Sequence, residues 1–183
     1  VGVLKKLHQS VHELNAIVTI PDKPKGRGQK VSFSAVKKYA LANHLGPILQ
    51  PTNLKDVRFI QELASIKADL FVVVAFQILP EAVFGIPPKG TINLHASLLP
   101  HYRGAAPINW AIMNGEKETG VTTFLLNKGV DTGKILLQDK INILEDETAG
   151  ELHDRLLECG SELVLKTVHG LEKEILQPQE QPQ

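Results

Sequence analysis

The sequence predicts an α/β fold built on a doubly wound, mostly parallel sheet, and two observations carry that expectation. Short β-rich segments alternate with helical patterns through the first half of the chain, the order of successive βαβ units. Among them, Leu70-Phe71-Val72-Val73-Val74-Ala75 is apolar at every position, without the alternation of a half-exposed strand. A run of that kind is expected to be covered by helices on both faces.

Each element follows from local pattern. Val3, Leu4, Leu7, Val11 and Leu14 keep helical spacing, so the chain begins inside or at a helix. Ala16-Ile17-Val18-Thr19-Ile20 is a short strand stopped by Pro21, and a polar loop rich in glycine and lysine covers residues 22–30. A helix through Val36, Tyr39 and Ala40 precedes the strand Ile48-Leu49, fenced by Pro47 and Pro51. Phe59, Ile60, Leu63 and Ile66 mark an amphipathic helix, with Asn53 as its cap. Thr91-Ile92-Asn93-Leu94-His95 is a further strand, and Pro107 suits the first turn of a helix running to about Met113. Two β-rich segments, residues 121–126 and 135–143, flank the tight loop Gly129-Val130-Asp131-Thr132-Gly133. Thr148-Ala149-Gly150-Glu151 is a capping box, and Leu152, Leu156, Cys159 and Leu163 form the buried stripe of the helix it opens.

Composition bounds the function. A chain of 183 residues with 43% hydrophobic and 22% charged residues suits one domain, here residues 1–176. Residues 177–183 carry no apolar side chain and read as a linker or disordered tail. Lys+Arg and Asp+Glu are 20 each, so no net charge draws the chain toward nucleic acid. A single cysteine, Cys159, excludes an internal disulfide and a cysteine-rich zinc site. No apolar run approaches the ~20 residues of a membrane span, and the amino end has no signal-peptide pattern, so the expectation is a soluble, cytoplasmic location. No obligate protein partner is evident.

Asn93, His95 and Asp131 are the candidates for chemistry. Asn93 and His95 stand two apart, on one face of a strand at its carboxyl end, where open α/β sheets bind ligands. Asp131 sits in a loop braced by Gly129 and Gly133. An amide, an imidazole and a carboxylate together suit acyl-group transfer. Spacing alone equally fits a core histidine and a turn-forming aspartate.

The surrounding wording is more specific. Asn93-Leu94-His95-Ala96-Ser97-Leu98-Leu99-Pro100, followed by Tyr102-Arg103-Gly104-Ala105-Ala106-Pro107-Ile108, resembles the signature of the folate-dependent formyltransferases. Lys128-Gly129-Val130-Asp131-Thr132-Gly133 and Phe76-Gln77-Ile78-Leu79-Pro80 resemble the Asp loop and the pterin-side loop of that family. The resemblance extends from the first helix to about Leu176. It implies a Rossmann-like sheet and 10-formyltetrahydrofolate as formyl donor. It also implies catalytic roles for Asn93, His95 and Asp131, and folate contacts from Phe76, Gln77, Ile78, Leu79, Ser97, Leu98, Leu99, Pro100, Gly129 and Val130.

Gly104-Ala105-Ala106-Pro107 resembles the branch whose acceptor is the methionine amino group of initiator methionyl-tRNA. In that branch an inserted loop meets the tRNA acceptor arm, and Lys23, Lys25, Arg27 and Lys30 occupy the corresponding place here. The resemblance also implies that the family's first strand, which ends in a Gly-Thr-Pro-x-Phe turn, belongs before Val1 beside residues 16–20. A carboxy-terminal β-barrel domain belongs after Gln183, so the chain is expected to be cut short at both ends. Leu126-Asn127 replaces a common Met-Asp, a change expected to be mild. No metal is expected in the reaction. His8, His12, His44, His101, His153 and His169 are scattered over helices and loops and read as surface or packing residues.

Overall fold

In the computed structural model, the described residues are 1–25 and 30–182, with side chains for all of these except residues 24, 25, 30 and 31. The elements are α1 (Gly2–His8), β1 (Ile17–Val18), β2 (Lys23–Lys25), β3 (Lys30–Ser32), α2 (Ala35–Ala42), β4 (Ile48–Leu49) and α3 (Val57–Ser65). They continue with β5 (Phe71–Val74), α4 (Glu81–Phe84), β6 (Thr91–His95), α5 (Pro107–Met113), β7 (Glu118–Leu125), β8 (Ile135–Asn142) and α6 (Ala149–Glu172).

Strands β5-β6-β7-β8 form one sheet in that order. The pair β5–β6 is parallel and sets Val73 opposite Asn93. The pairs β6–β7 and β7–β8 are antiparallel, with His95 opposite Thr122. The loop between β7 and β8 is too short for the crossover a parallel pair requires. β1 and β4 form a second parallel pair, Ile17 opposite Ile48.

Helices cover both faces, as a doubly wound sheet demands. Phe71 packs with Phe59 and Leu63 of α3 and Val83 of α4. Its neighbour Val72 packs with Val3 and Leu7 of α1 and Val164 of α6 on the opposite side. Val121 of β7 joins Leu152, Leu156 and Leu163 of α6 in a third cluster. Each such side chain contributes about 2 kcal/mol by leaving water. The capping box is formed: Thr148 Oγ1 accepts from the Glu151 N–H at 3.3 Å, and Glu151 accepts from the Thr148 N–H at 2.9 Å. Pro107 opens α5 at its first turn. Among the described residues no helix is long and apolar enough to cross a membrane.

Several elements depart from the sequence reading. Helix α1 stops at His8, where the Ser10 hydroxyl bonds to the Leu7 carbonyl at 2.7 Å, and Val11 is left 89% exposed. A serine that satisfies a carbonyl at a helix end competes with continued helix. Helix α3 is capped by Asp56, which accepts from the Arg58 N–H, whereas Asn53 bonds to the Lys55 N–H in the preceding turn. The loop expected over residues 22–30 contains the antiparallel ribbon β2–β3, with Lys23 opposite Ser32. Beside the ribbon, Lys37 Nζ meets Asp22 at 2.5 Å and stands 4.5 Å over the Phe33 ring.

The apolar run at β5 is not buried on both sides, and Val74 is 36% exposed. β1 and β5 do not pair; between them lies a cavity of about 570 Å³ lined by Leu7, Ile17, Val18, Val72, Val73 and Leu79. The run therefore has helices above and below but an open edge. The tail departs as well. Gln179 forms an antiparallel bridge with Ile135, with N–H···O distances of 2.8 Å in both directions. Its backbone finds hydrogen-bond partners on the outer edge of β8 at Ile135, whose other side faces Phe124 of β7, so residues 178–181 do not trail free.

Candidate active site

β5 and β6 run parallel and end on the same edge of the sheet, His95 being the last residue of β6. The imidazole is buried, and its Nε2 lies 2.8 Å from the Tyr102 carbonyl oxygen. Nδ1 lies 3.6 Å from Asp131 Oδ2. At 3.6 Å the second is a charge contact and not a hydrogen bond, so Nε2 alone is tied to a protein acceptor. Asp131 Oδ2 also accepts from the Gly104 N–H at 2.8 Å. His95 and Asp131, distant in sequence, thus meet across the turn of residues 102–104. Asn93 lies on the same face of β6, partly exposed, and its side chain makes no hydrogen bond among the described residues.

Several left-handed backbone angles fall at this edge. Tyr102, Ala106 and Asp131 have φ of 56°, 54° and 51°, and Gly104 has φ 89°. Non-glycine residues hold such angles only where surrounding contacts impose them. For Tyr102 the contacts are those of its hydroxyl, which bonds to Glu116 and accepts from Asn114 Nδ2 at 2.9 Å. The bond to the Glu116 carboxylate raises the Tyr102 pKa above its ordinary value. For Asp131 the constraint is its loop. Asn127 Oδ1 accepts from the Gly129 N–H and the Thr132 hydroxyl, each at 3.0 Å. At Gly133 an added Cβ would lie 1.6 Å from the Leu125 carbonyl oxygen, so no other residue fits there without moving the backbone.

The turn at residues 97–100 is held from beneath. Thr122 Oγ1 donates to the Ser97 carbonyl at 2.7 Å and accepts from the Leu99 N–H at 3.1 Å. Gln138 Nε2 donates to the Leu99 carbonyl at 2.9 Å. Ser97 and Leu99 are buried, while Leu98 and Pro100 are partly exposed. In the loop after β5, Phe76 and Leu79 anchor against the α3 side of the core, leaving Gln77 exposed and Ile78 84% exposed. Lys128 Nζ reaches Glu81 Oε2 at 3.0 Å, joining the Asp131 loop to the helix that follows residues 76–79. Val130 is 56% exposed beside Asp131. The cavity at β1 and β5 is lined by none of Asn93, His95 and Asp131; it belongs to the sheet, not to this edge. Lys23 is exposed on the ribbon. Arg27 and the side chains of Lys25 and Lys30 lie outside the described residues.

Sequence reasoning missed Gln181 and undervalued Asn127. Gln181 Nε2 donates to the carbonyls of Asp131 and Gly133, both at 2.8 Å. Its Oε1 accepts from Arg103 Nε at 2.9 Å and from a second guanidinium nitrogen at 2.6 Å. A polar tail rich in glutamine gives no local signal of such a clamp. Gln181→Ala is expected to loosen the Asp131 loop, since each lost bond is worth roughly 0.5–1.5 kcal/mol. Amide hydrogen exchange at Thr132 and Gly133 should quicken by about tenfold or more. Unchanged protection would show that the tail merely lies against the loop.

The family model described as formyl transferase matches residues 2–168. The methionyl-tRNA formyltransferase of Flavobacterium johnsoniae is 54% identical over 172 residues, which are 94% of this chain and 54% of that protein. That of Clostridium botulinum is 55% identical over 162 residues, 87% of this chain and 52% of that protein. The chain thus spans about half the length of the curated relatives it matches. Among solved structures, a phosphoribosylglycinamide formyltransferase from Anaplasma phagocytophilum superposes with TM-score 0.79 at 23% identity. It covers 94% of this chain and 82% of its own. An N-formyltransferase from Helicobacter canadensis, in complex with folinic acid and dTDP-3-aminofucose, has TM-score 0.73 at 24% identity, covering 98% of this chain and 62% of its own. At those identities the likeness is one of fold.

Proposed function

Because this chain belongs to the formyl transferase family, we propose that it transfers a formyl group from 10-formyltetrahydrofolate to the α-amino group of initiator methionyl-tRNA, in the cytoplasm. The observation that carries the choice of acceptor is the 54% identity to the Flavobacterium johnsoniae protein, sustained over 94% of this chain.

The amine lone pair attacks the formyl carbon, the bond from that carbon to the folate nitrogen breaks, and the proton lost by the amine ends on that nitrogen. Negative charge gathers on the formyl oxygen during the attack. Asn93 and the Nδ1–H of protonated His95, which no described protein acceptor holds within hydrogen-bond distance, donate hydrogen bonds to that oxygen, an effect commonly worth a few kcal/mol per donor. Asp131 orients the imidazole and relays the proton. The contact of 3.6 Å between His95 Nδ1 and Asp131 supports this pairing. Exposed Gln77, Ile78 and Val130 leave backbone groups free to take the pterin, with the turn at residues 97–100 closing the folate side. Lys23, Lys25, Arg27 and Lys30 lie along phosphates of the tRNA acceptor arm.

The direct test supplies the full-length protein with charged initiator tRNA and labelled 10-formyltetrahydrofolate, and measures formyl-methionine. Parallel reactions offer an amino-sugar nucleotide or glycinamide ribonucleotide; transfer to either in preference to the tRNA would overturn the assignment. Absence of transfer to every acceptor would leave only a folate- or tRNA-binding role. Within the assignment, Arg27→Ala removes a charged contact of roughly 1–3 kcal/mol and should weaken use of the tRNA about tenfold. Folate affinity should stay nearly unchanged. The tRNA term should also fall as salt rises, because phosphate contacts release counterions.

A further inference from the structure

His12 and His169 lie at opposite ends of the chain, and no window of sequence links them. The fold brings them together with Glu172. His12 Nδ1 lies 3.7 Å from Glu172 Oε2, and His169 Nδ1 lies 3.8 Å from the same oxygen. The two rings stand edge to face with centroids 6.1 Å apart, and one ligand atom from each residue falls within 4.8 Å of the others. The histidines read from sequence as separate surface or packing residues therefore include two that form a cluster with a carboxylate.

Three features of this cluster suit a cation. His169 and Glu172 are three residues apart on α6, so their side chains share one helix face. They occupy the last turn, where the carbonyl ends of the helix carry partial negative charge. His12 is held in place rather than dangling: its side chain is 12% exposed, and its backbone N–H bonds to Ser10 Oγ at 3.2 Å. Tetrahedral zinc with bonds of about 2.0–2.1 Å to nitrogen and oxygen sets its ligand atoms roughly 3.4 Å apart. The two separations to Glu172 exceed that spacing by a few tenths of an ångström, and the imidazole–imidazole pair, within 4.8 Å, closes by rotation of the more exposed His169 side chain. Two imidazoles and one carboxylate are a borderline donor set, selecting first-row divalent ions over calcium or magnesium. The lone thiol offers no competing site, because burial and then the Asp139 hydrogen bond push the Cys159 pKa up to about 11.

We propose that His12, His169 and Glu172 bind one first-row divalent cation of the imidazole-preferring class, represented by Zn²⁺, with water completing the coordination. The ion clips the segment after α1 to the end of α6 and closes almost the entire chain into one loop. Cross-links over long loops constrain the unfolded chain most, so the ion acts on stability. It takes no part in formyl transfer, and the proposal stands whatever the reaction proves to be.

The test uses the full chain, freed of metal by a chelator and titrated with Co²⁺ as a spectroscopic probe. Intense visible d–d bands should saturate at one equivalent and disappear on adding Zn²⁺. His12→Ala, His169→Ala and Glu172→Gln should each weaken binding by at least about tenfold, since loss of even an outer-shell partner of a ligand typically costs that much. The side chains of His169 and Glu172 are 45% and 58% exposed, so these two variants read binding without disturbing the core. His153→Ala, at a histidine outside the cluster, should bind as the parent does. With Zn²⁺ at ten times its Kd, the thermal midpoint of the parent should rise by about 4 °C, and that of His169→Ala should not move. Failure of the parent to show Co²⁺ bands, or undiminished binding by His169→Ala, overturns the proposal.

Discussion

His95→Ala is expected to lower kcat for formyl transfer by roughly 10³-fold or more, with the KM for the folate donor little changed. The substitution removes the hydrogen-bond donor aimed at the developing negative charge and the ring that takes part in proton movement. Losses of 10²–10³ per oxyanion donor and 10²–10⁴ for acid–base groups are typical. Folate contacts are assigned elsewhere, to residues 76–79, 97–100 and 129–130, so donor binding should survive. Asp131→Asn is the informative companion. Its amide oxygen can still accept the Gly104 N–H that Asp131 Oδ2 takes at 2.8 Å, while the charge facing His95 Nδ1 is gone. A fall of about 10²-fold with an unchanged thermal midpoint would separate the electrostatic role from loop architecture. Steady-state kinetics with each substrate varied in turn measures both. If His95→Ala keeps activity within tenfold of the parent, the histidine is a structural residue and the mechanism fails.

Filling the cleft between β1 and β5 is expected to stabilise the fold by several kcal/mol. Each strand has one hydrogen-bonding edge paired, β1 with β4 and β5 with β6, and the two remaining edges face a cavity of about 570 Å³. A single parallel strand between them would satisfy both edges and join the two parallel pairs into one sheet. Its side chains would cover Val72 and Val73 and meet Leu7 and Leu79. Three apolar side chains buried at about 2 kcal/mol each give roughly 6 kcal/mol as an upper estimate. That corresponds to a rise of about 10 °C or more in the thermal midpoint.

The comparison is between the 183-residue chain and a longer one in which a strand-forming apolar segment is joined ahead of Val1. Val73→Asp sharpens it. In the shorter chain Val73 is only half-buried, so a carboxylate there should cost little. In the longer chain the same carboxylate would meet the added strand, with a penalty of several kcal/mol. Equal midpoints for the two chains, and equal effects of Val73→Asp, would show that the cleft takes no strand.

What the sequence determined by itself is local. Pro107 set the start of α5, Thr148 and Glu151 set the start of α6, and the glycines around Asp131 marked the loop that presents it. Each signal acts within a few residues, through a missing N–H, a reciprocal cap or a backbone angle, so one stretch of chain contains its cause. The chemical candidates were legible for a related reason. His95 ends a strand and Asp131 occupies a tight turn, and the wording around both resembles a family signature. The tertiary structure alone decided what meets across distance. It set His95 Nδ1 3.6 Å from Asp131, drew Gln181 back onto the Asp131 loop, and left one edge of β5 open despite an apolar run. It also gathered His12, His169 and Glu172 at one place. Those outcomes depend on which backbone groups remain unpaired after the sheet forms and which side chains the packed helices leave facing one another. No pattern within a single segment contains that information.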